Sequence, residues 1–165
     1  MEEKTIMYID YPWAGWEDVS ETYKEMGKPW KWLSYFDALR DGDLKTNQPR
    51  DVNQEDILAV VEKRSLDLLT MDGGVAYNLR IPPGLKERGL RVKTLISPIY
   101  LLYPGMKSED CLKASGADFG LDRIDLYETM AALDAIFAGR TGGYVFNPNF
   151  YENRNGLLVP KGQKQ

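Results

Sequence analysis

The sequence contains no histidine and only one cysteine, Cys111. The first absence removes imidazole general bases, Ser-His-Asp and Cys-His nucleophile arrangements, and histidine-ligated zinc, copper or iron. The second removes an internal disulfide and any cysteine cluster, and fits a reducing, cytoplasmic setting. Carboxylates, tyrosines and lysines remain for acid–base work, so an enzyme is narrowed without being excluded. Long apolar runs are also missing. The most apolar window, Ile99–Tyr103, falls far short of the ~20 residues a helix needs to cross a bilayer. No secretory core follows Met1, because Glu2, Glu3 and Lys4 are charged and the stretch Ile6–Ile9 is short. Positive charge is not in excess: 21 Lys plus Arg against 25 Asp plus Glu leave −4. That balance argues against broad attraction to nucleic acid or an anionic membrane.

What is present describes a single globular domain. A chain of 165 residues buries about 70% of the surface its unfolded form exposes and needs neither disulfides nor a structural metal to fold. Repeats, low-complexity tracts and composition breaks are absent, so residues 1–159 are expected to form one domain and 160–165 a frayed tail.

The pattern along the chain predicts a strand over Thr5–Asp10, then a helix from about Asp18 with Val19, Tyr23 and Met26 on one face and Gly27 as its stop. Pro29 suits the start of a second helix carrying Trp32, Phe36 and Leu39, which ends at Asp41-Gly42-Asp43 and pairs with the first as a hairpin. A polar loop over 43–52 leads to a helix capped by Asn53, with Glu55 and Asp56 in its first turn and Lys63-Arg64 at its end. Leu66–Met71 and the alternating Val75–Ile81 read as two strands joined by Asp72-Gly73-Gly74 and closed by Pro82-Pro83. A helical turn over 84–89, an extended run from Arg91 to Leu102, a short helix Ser108–Ser115 and a long helix capped by Asp122 follow. Strands Tyr144–Phe146 and Leu157–Val159 close the chain, with Asn155-Gly156 as a hairpin cue. This order predicts an α+β fold, a mainly antiparallel sheet packed against several helices.

Candidate chemistry competes at each point with a plainer structural role. Asp72-Gly73-Gly74 has the makings of a ligand loop, but between two strands it reads as a turn. Gly84 and Gly89 have P-loop spacing, yet Leu90-Arg91 stand where that loop needs Lys and then Ser or Thr. Arg140 and Thr141, in a glycine-rich run after the long helix, are the first choice for an anion contact, although helix capping explains them too. Asp118, Asp122 and Asp125 converge near that helix's start and could hold magnesium through oxygen ligands; acids are also what a helix start prefers. Lys28-Pro29-Trp30-Lys31-Trp32 interleaves cations with indoles, as single-stranded nucleic-acid binders do. Tyr11, Trp13 and Trp16 form an aromatic cluster that could grip a partner.

With the commonest proton shuttle missing, the sequence points first to a non-catalytic protein-binding module. It would be a subunit or inhibitor anchored by Tyr11, Trp13, Trp16 and Trp30. The alternative is a small enzyme or binding domain for a phosphorylated ligand or nucleotide, with a divalent cation such as magnesium as its cofactor. Single-stranded nucleic-acid binding is a third reading, and no membrane partner is expected.

Overall fold

The computed structural model describes residues 2–9, 16–38, 52–97, 105–121, 126–139, 144–146, 151–154 and 157–160. The chain runs β1 (Lys4–Tyr8), α1 (Trp16–Glu25), β2 (Trp30–Ser34), α2 (Tyr35–Ala38), α3 (Gln54–Lys63) and β3 (Leu68–Met71). It continues through α4 (Gly73–Asn78), α5 (Ile81–Glu87), β4 (Lys93–Ile96), α6 (Ser108–Ser115), β5 (Phe119–Leu121), α7 (Leu126–Phe137) and β6 (Tyr144–Phe146). A separate antiparallel hairpin, β7 (Tyr151–Arg154) and β8 (Leu157–Pro160), pairs Arg154 with Leu157. Asn155 and Gly156, the expected turn, lie outside the described residues.

The main sheet has the order β2-β1-β3-β4-β5-β6, and every neighbouring pair is parallel. The fold is therefore α/β, and the expected antiparallel α+β arrangement is overturned. Parallel neighbours need a long crossover between them, which the intervening helices supply, and they bury both faces of each strand. The order β2-β1-β3-β4-β5 is that of the flavodoxin-like doubly wound sheets, here extended by β6.

Side chains on successive strand positions go to opposite faces. Ile6, Tyr8, Leu68, Leu95, Phe119 and Leu121 pack with Val19 and Tyr23 of α1 and with Leu133 and Ile136 of α7. Met7, Ile9, Leu69, Met71 and Ile96 pack on the other side with α3 through α6. Fully burying each such side chain contributes about 1.5–3 kcal/mol.

Two further expectations fail for physical reasons. The second helix proposed from Pro29 is strand β2, paired with β1 from Lys4↔Trp30 to Tyr8↔Ser34, and only Tyr35–Ala38 is helical. The spacing of Trp32 and Phe36 fits a helix, but Trp32 joins one core and Leu33 the other, a two-residue alternation. The strand proposed at Val75–Ile81 is the short helix α4 and the first residue of α5. Asp72 caps α4, and Pro82-Pro83 lie in the first turn of α5, where a missing N–H costs nothing. All of the expected polar loop over 43–52 but Val52 lies outside the described residues.

Candidate functional site

The strand order reverses between β1 and β3: from β1 the chain moves outward to β2, and from β3 it moves the other way to β4. Doubly wound sheets bind ligands outside the carboxyl ends of the strands at this crevice. At the end of β3 the sequence is Asp72-Gly73-Gly74. The Asp72 Oδ1 accepts from the Val75 N–H at 2.7 Å, which holds the half-buried carboxylate at the strand's exit. Its Oδ2 has no partner among the described residues. A Cβ on Gly74 would lie 3.0 Å from Oδ1, so a side chain there would crowd the carboxylate out of its cap.

The neighbouring strand contributes Ser97. The pairing of Met71 with Ile96 makes Asp72 and Ser97 the next residues out of β3 and β4, and the Ser97 N–H donates to the Met71 carbonyl at 2.9 Å. Ser97 is fully buried, and its hydroxyl finds no hydrogen-bond partner among the described residues. On the other flank, the Ile9 N–H donates to the Thr70 carbonyl at 3.0 Å and continues β1 to the same edge. Asp72 and Ser97 thus occupy adjacent register positions at the carboxyl ends of β3 and β4, one with an open carboxylate oxygen and the other with a buried hydroxyl, oxygen groups of the kind that suit a hard cation and a phosphate oxygen. Comparison with protein-family models, with curated proteins and with solved structures finds no match.

The residues singled out from the sequence are placed elsewhere or lie outside the described residues. Trp30 opens β2 at the amino edge of the sheet, edge-on to Tyr23 at 5.1 Å and tilted against Phe137 at 5.7 Å. The Lys28 ammonium lies 5.4 Å over its ring and pairs with Asp134 at 3.4 Å. Tyr11, Trp13, Arg140, Thr141, Asp122 and Asp125 lie outside the described residues, as does the side chain of Trp16, the first residue of α1. Asp118 also belongs to the amino edge, where its Oδ2 accepts from the Thr94 N–H at 2.9 Å and from the Thr94 hydroxyl at 3.3 Å. Among the described residues no three acidic or thiol groups gather as a metal set, and no helix is long and apolar enough to cross a membrane.

Sequence reasoning weighed Asp72 and set it aside because a strand was expected after it; the capping pattern of an aspartate three residues before Val75 was the available signal. Ser97 left a weaker trace, a lone serine closing the apolar run from Thr94.

Proposed function

We propose that this chain is a binding domain for a phosphate-bearing ligand taken up with a divalent cation at the carboxyl ends of β3 and β4, next to the crevice between β1 and β3. Asp72 holds the cation through its open Oδ2, and the Ser97 hydroxyl donates to a phosphate oxygen. The observation that carries this reading is the half-satisfied Asp72 carboxylate at the exit of β3, with the unpartnered, buried Ser97 hydroxyl at the next register position of β4, one strand from where the strand order reverses. A buried hydroxyl without a partner costs about 1–3 kcal/mol, which a ligand oxygen offsets. Asp72 alone repels a phosphate; magnesium reverses that sign, since it is usually bound by one or two carboxylates together with phosphate oxygens.

This reading ranks above the aromatic protein-binding module because Trp30 is engaged in packing with Tyr23 and Phe137. It also ranks above nucleic-acid binding, because Trp32 is 8% exposed and stacks on Tyr23, which leaves Lys28–Trp32 with one half-buried indole instead of two presented ones. The buried free thiol of Cys111 supports placing the protein in a reducing cytoplasm.

Thermal denaturation with magnesium chloride, with inorganic phosphate and with both tests the proposal, because a ligand of the folded state raises the melting temperature by linkage. The two together are expected to raise it more than the sum of the separate effects. Asp72→Asn keeps the helix cap, asparagine being an equal cap, and should lose the magnesium effect. Ser97→Ala should lose the magnesium-dependent part of the phosphate effect while leaving the ligand-free protein as stable or slightly more so. A joint effect that survives Asp72→Asn would move the site away from this edge.

A further inference from the structure

At the opposite end of the strands lies a cleft of about 380 Å³, lined by Lys86, Leu90, Arg91, Lys93 and Asp118. Lys93 is the first residue of β4 and Asp118 immediately precedes β5, so the cleft opens at the amino edge, away from Asp72 and Ser97. Its size falls within the range of small-molecule sites. Its charge runs against that of the chain: three cations and one carboxylate line it in a protein whose formal charge is −4. Arg91 and Lys93 make no ion pair among the described residues, whereas the nearby Arg88 is engaged by Glu55 at 2.9 Å and Glu62 at 3.8 Å. Lys86 is steadied by one bond, from its Nζ to the Gly116 carbonyl at 3.3 Å, and keeps its other two donors. Asp118 is held by Thr94 through Oδ2 alone, so Oδ1 retains its lone pairs.

We propose that this cleft binds the phosphate monoester of a small polyol. Arg91 presents a planar fork that matches two phosphate oxygens, and Lys93 and Lys86 add point charges, so a dianion neutralises the unpaired cations. Asp118 Oδ1 accepts a hydroxyl of the polyol and repels a second phosphate, which selects a monoester over a polyphosphate or a nucleic-acid strand. Because the residues involved are separate from Asp72 and Ser97, this site stands or falls independently of the carboxyl-edge reading.

The test is a titration of the ¹⁵N-labelled full chain, without magnesium, against ribose 5-phosphate, inorganic phosphate and ribose. Ribose 5-phosphate should shift the amides of residues 89–94 and 116–118 and bind about tenfold more tightly than inorganic phosphate, a step of one good polar contact. Ribose alone should give no saturable shifts. The exposed double variant Arg91→Gln/Lys93→Gln should lose at least about tenfold in affinity, whereas Asp72→Asn should bind as the parent does. Absent shifts, equal affinity for inorganic phosphate, or affinity unchanged in the double variant would each overturn the proposal.

Discussion

Gly84 shows how closely one position can be determined by its neighbours. It is buried in α5, and a Cβ there would lie 2.8 Å from the Gln54 Nε2 and 3.0 Å from a methyl of Leu58. The same Gln54 amide donates to the Arg80 carbonyl at 3.1 Å, where the chain takes a left-handed turn at φ 51 to enter α5. Gly84→Ala therefore presses on a buried leucine and on the side chain that secures a strained turn. Overpacking of this kind costs about 1–3 kcal/mol. Urea denaturation should show the midpoint falling with the slope unchanged; a loss below ~0.5 kcal/mol would mean that Gln54 swings aside and that its bond to Arg80 contributes little. Asp72 illustrates the converse, a residue whose role was legible only with its context. A carboxylate before two glycines suits a turn or a helix cap equally, and the Val75 N–H at 2.7 Å decides for the cap.

Two strands of the sheet are locked at their starts by the same device. Asp67, just before β3, accepts from the Thr5 N–H of β1 at 2.8 Å and returns its own N–H to the Thr5 carbonyl at 2.9 Å. Asp118, just before β5, does the equivalent for Thr94 of β4, whose hydroxyl in turn accepts from the Asp118 N–H at 3.1 Å. A one-residue slip would send every core side chain to the wrong face, so a carboxylate at the first pair fixes the register. Thr94 is 2% exposed, and Asp118→Ala leaves its N–H without a partner, at a cost of about 1–3 kcal/mol. Asp118→Asn keeps an acceptor and should lose less than half as much by the same denaturation measurement; equal losses would show that the carboxylate's charge, and not the hydrogen bond, holds the strands together. Much of the helical part was legible: α3 with its Asn53 cap and α6 follow directly from capping and periodicity. The failures fall where windows are short. Val75, Tyr77 and Leu79 alternate over too few residues to separate strand from helix, and Trp32 with Phe36 mimics a helical face across a strand and the turn that follows it. The parallel sheet had a trace of its own, since Leu68–Met71 is buried at all four positions and such runs mark strands covered on both faces.

Because each central strand feeds side chains into both cores, the two helical layers are coupled through the backbone of one sheet. Ile6 and Leu68 belong to the layer of α1 and α7, while Met7 and Leu69, their immediate neighbours, belong to the layer of α3 through α6. β3 lies between β1 and β4, and its amides are bonded within the sheet between two covered faces, so they exchange with solvent only when the sheet opens. A cavity cut into one layer is then felt in the other. Leu58, on α3, is 2% exposed, and Leu58→Ala costs about 2–5 kcal/mol. The loss of hydrogen-exchange protection should be the same, within about 0.5 kcal/mol, for the amides of Leu69 in β3 and of Leu133 and Ile136 in α7, although α7 shares no core with Leu58. Were α7 to keep its protection while β3 and α3 lost theirs, the two layers would be separate folding units. A ligand at the proposed carboxyl-edge site would then stabilise the β3–α4 layer without reaching the opposite face, so the same exchange experiment measures how far the proposed binding at Asp72 would be transmitted.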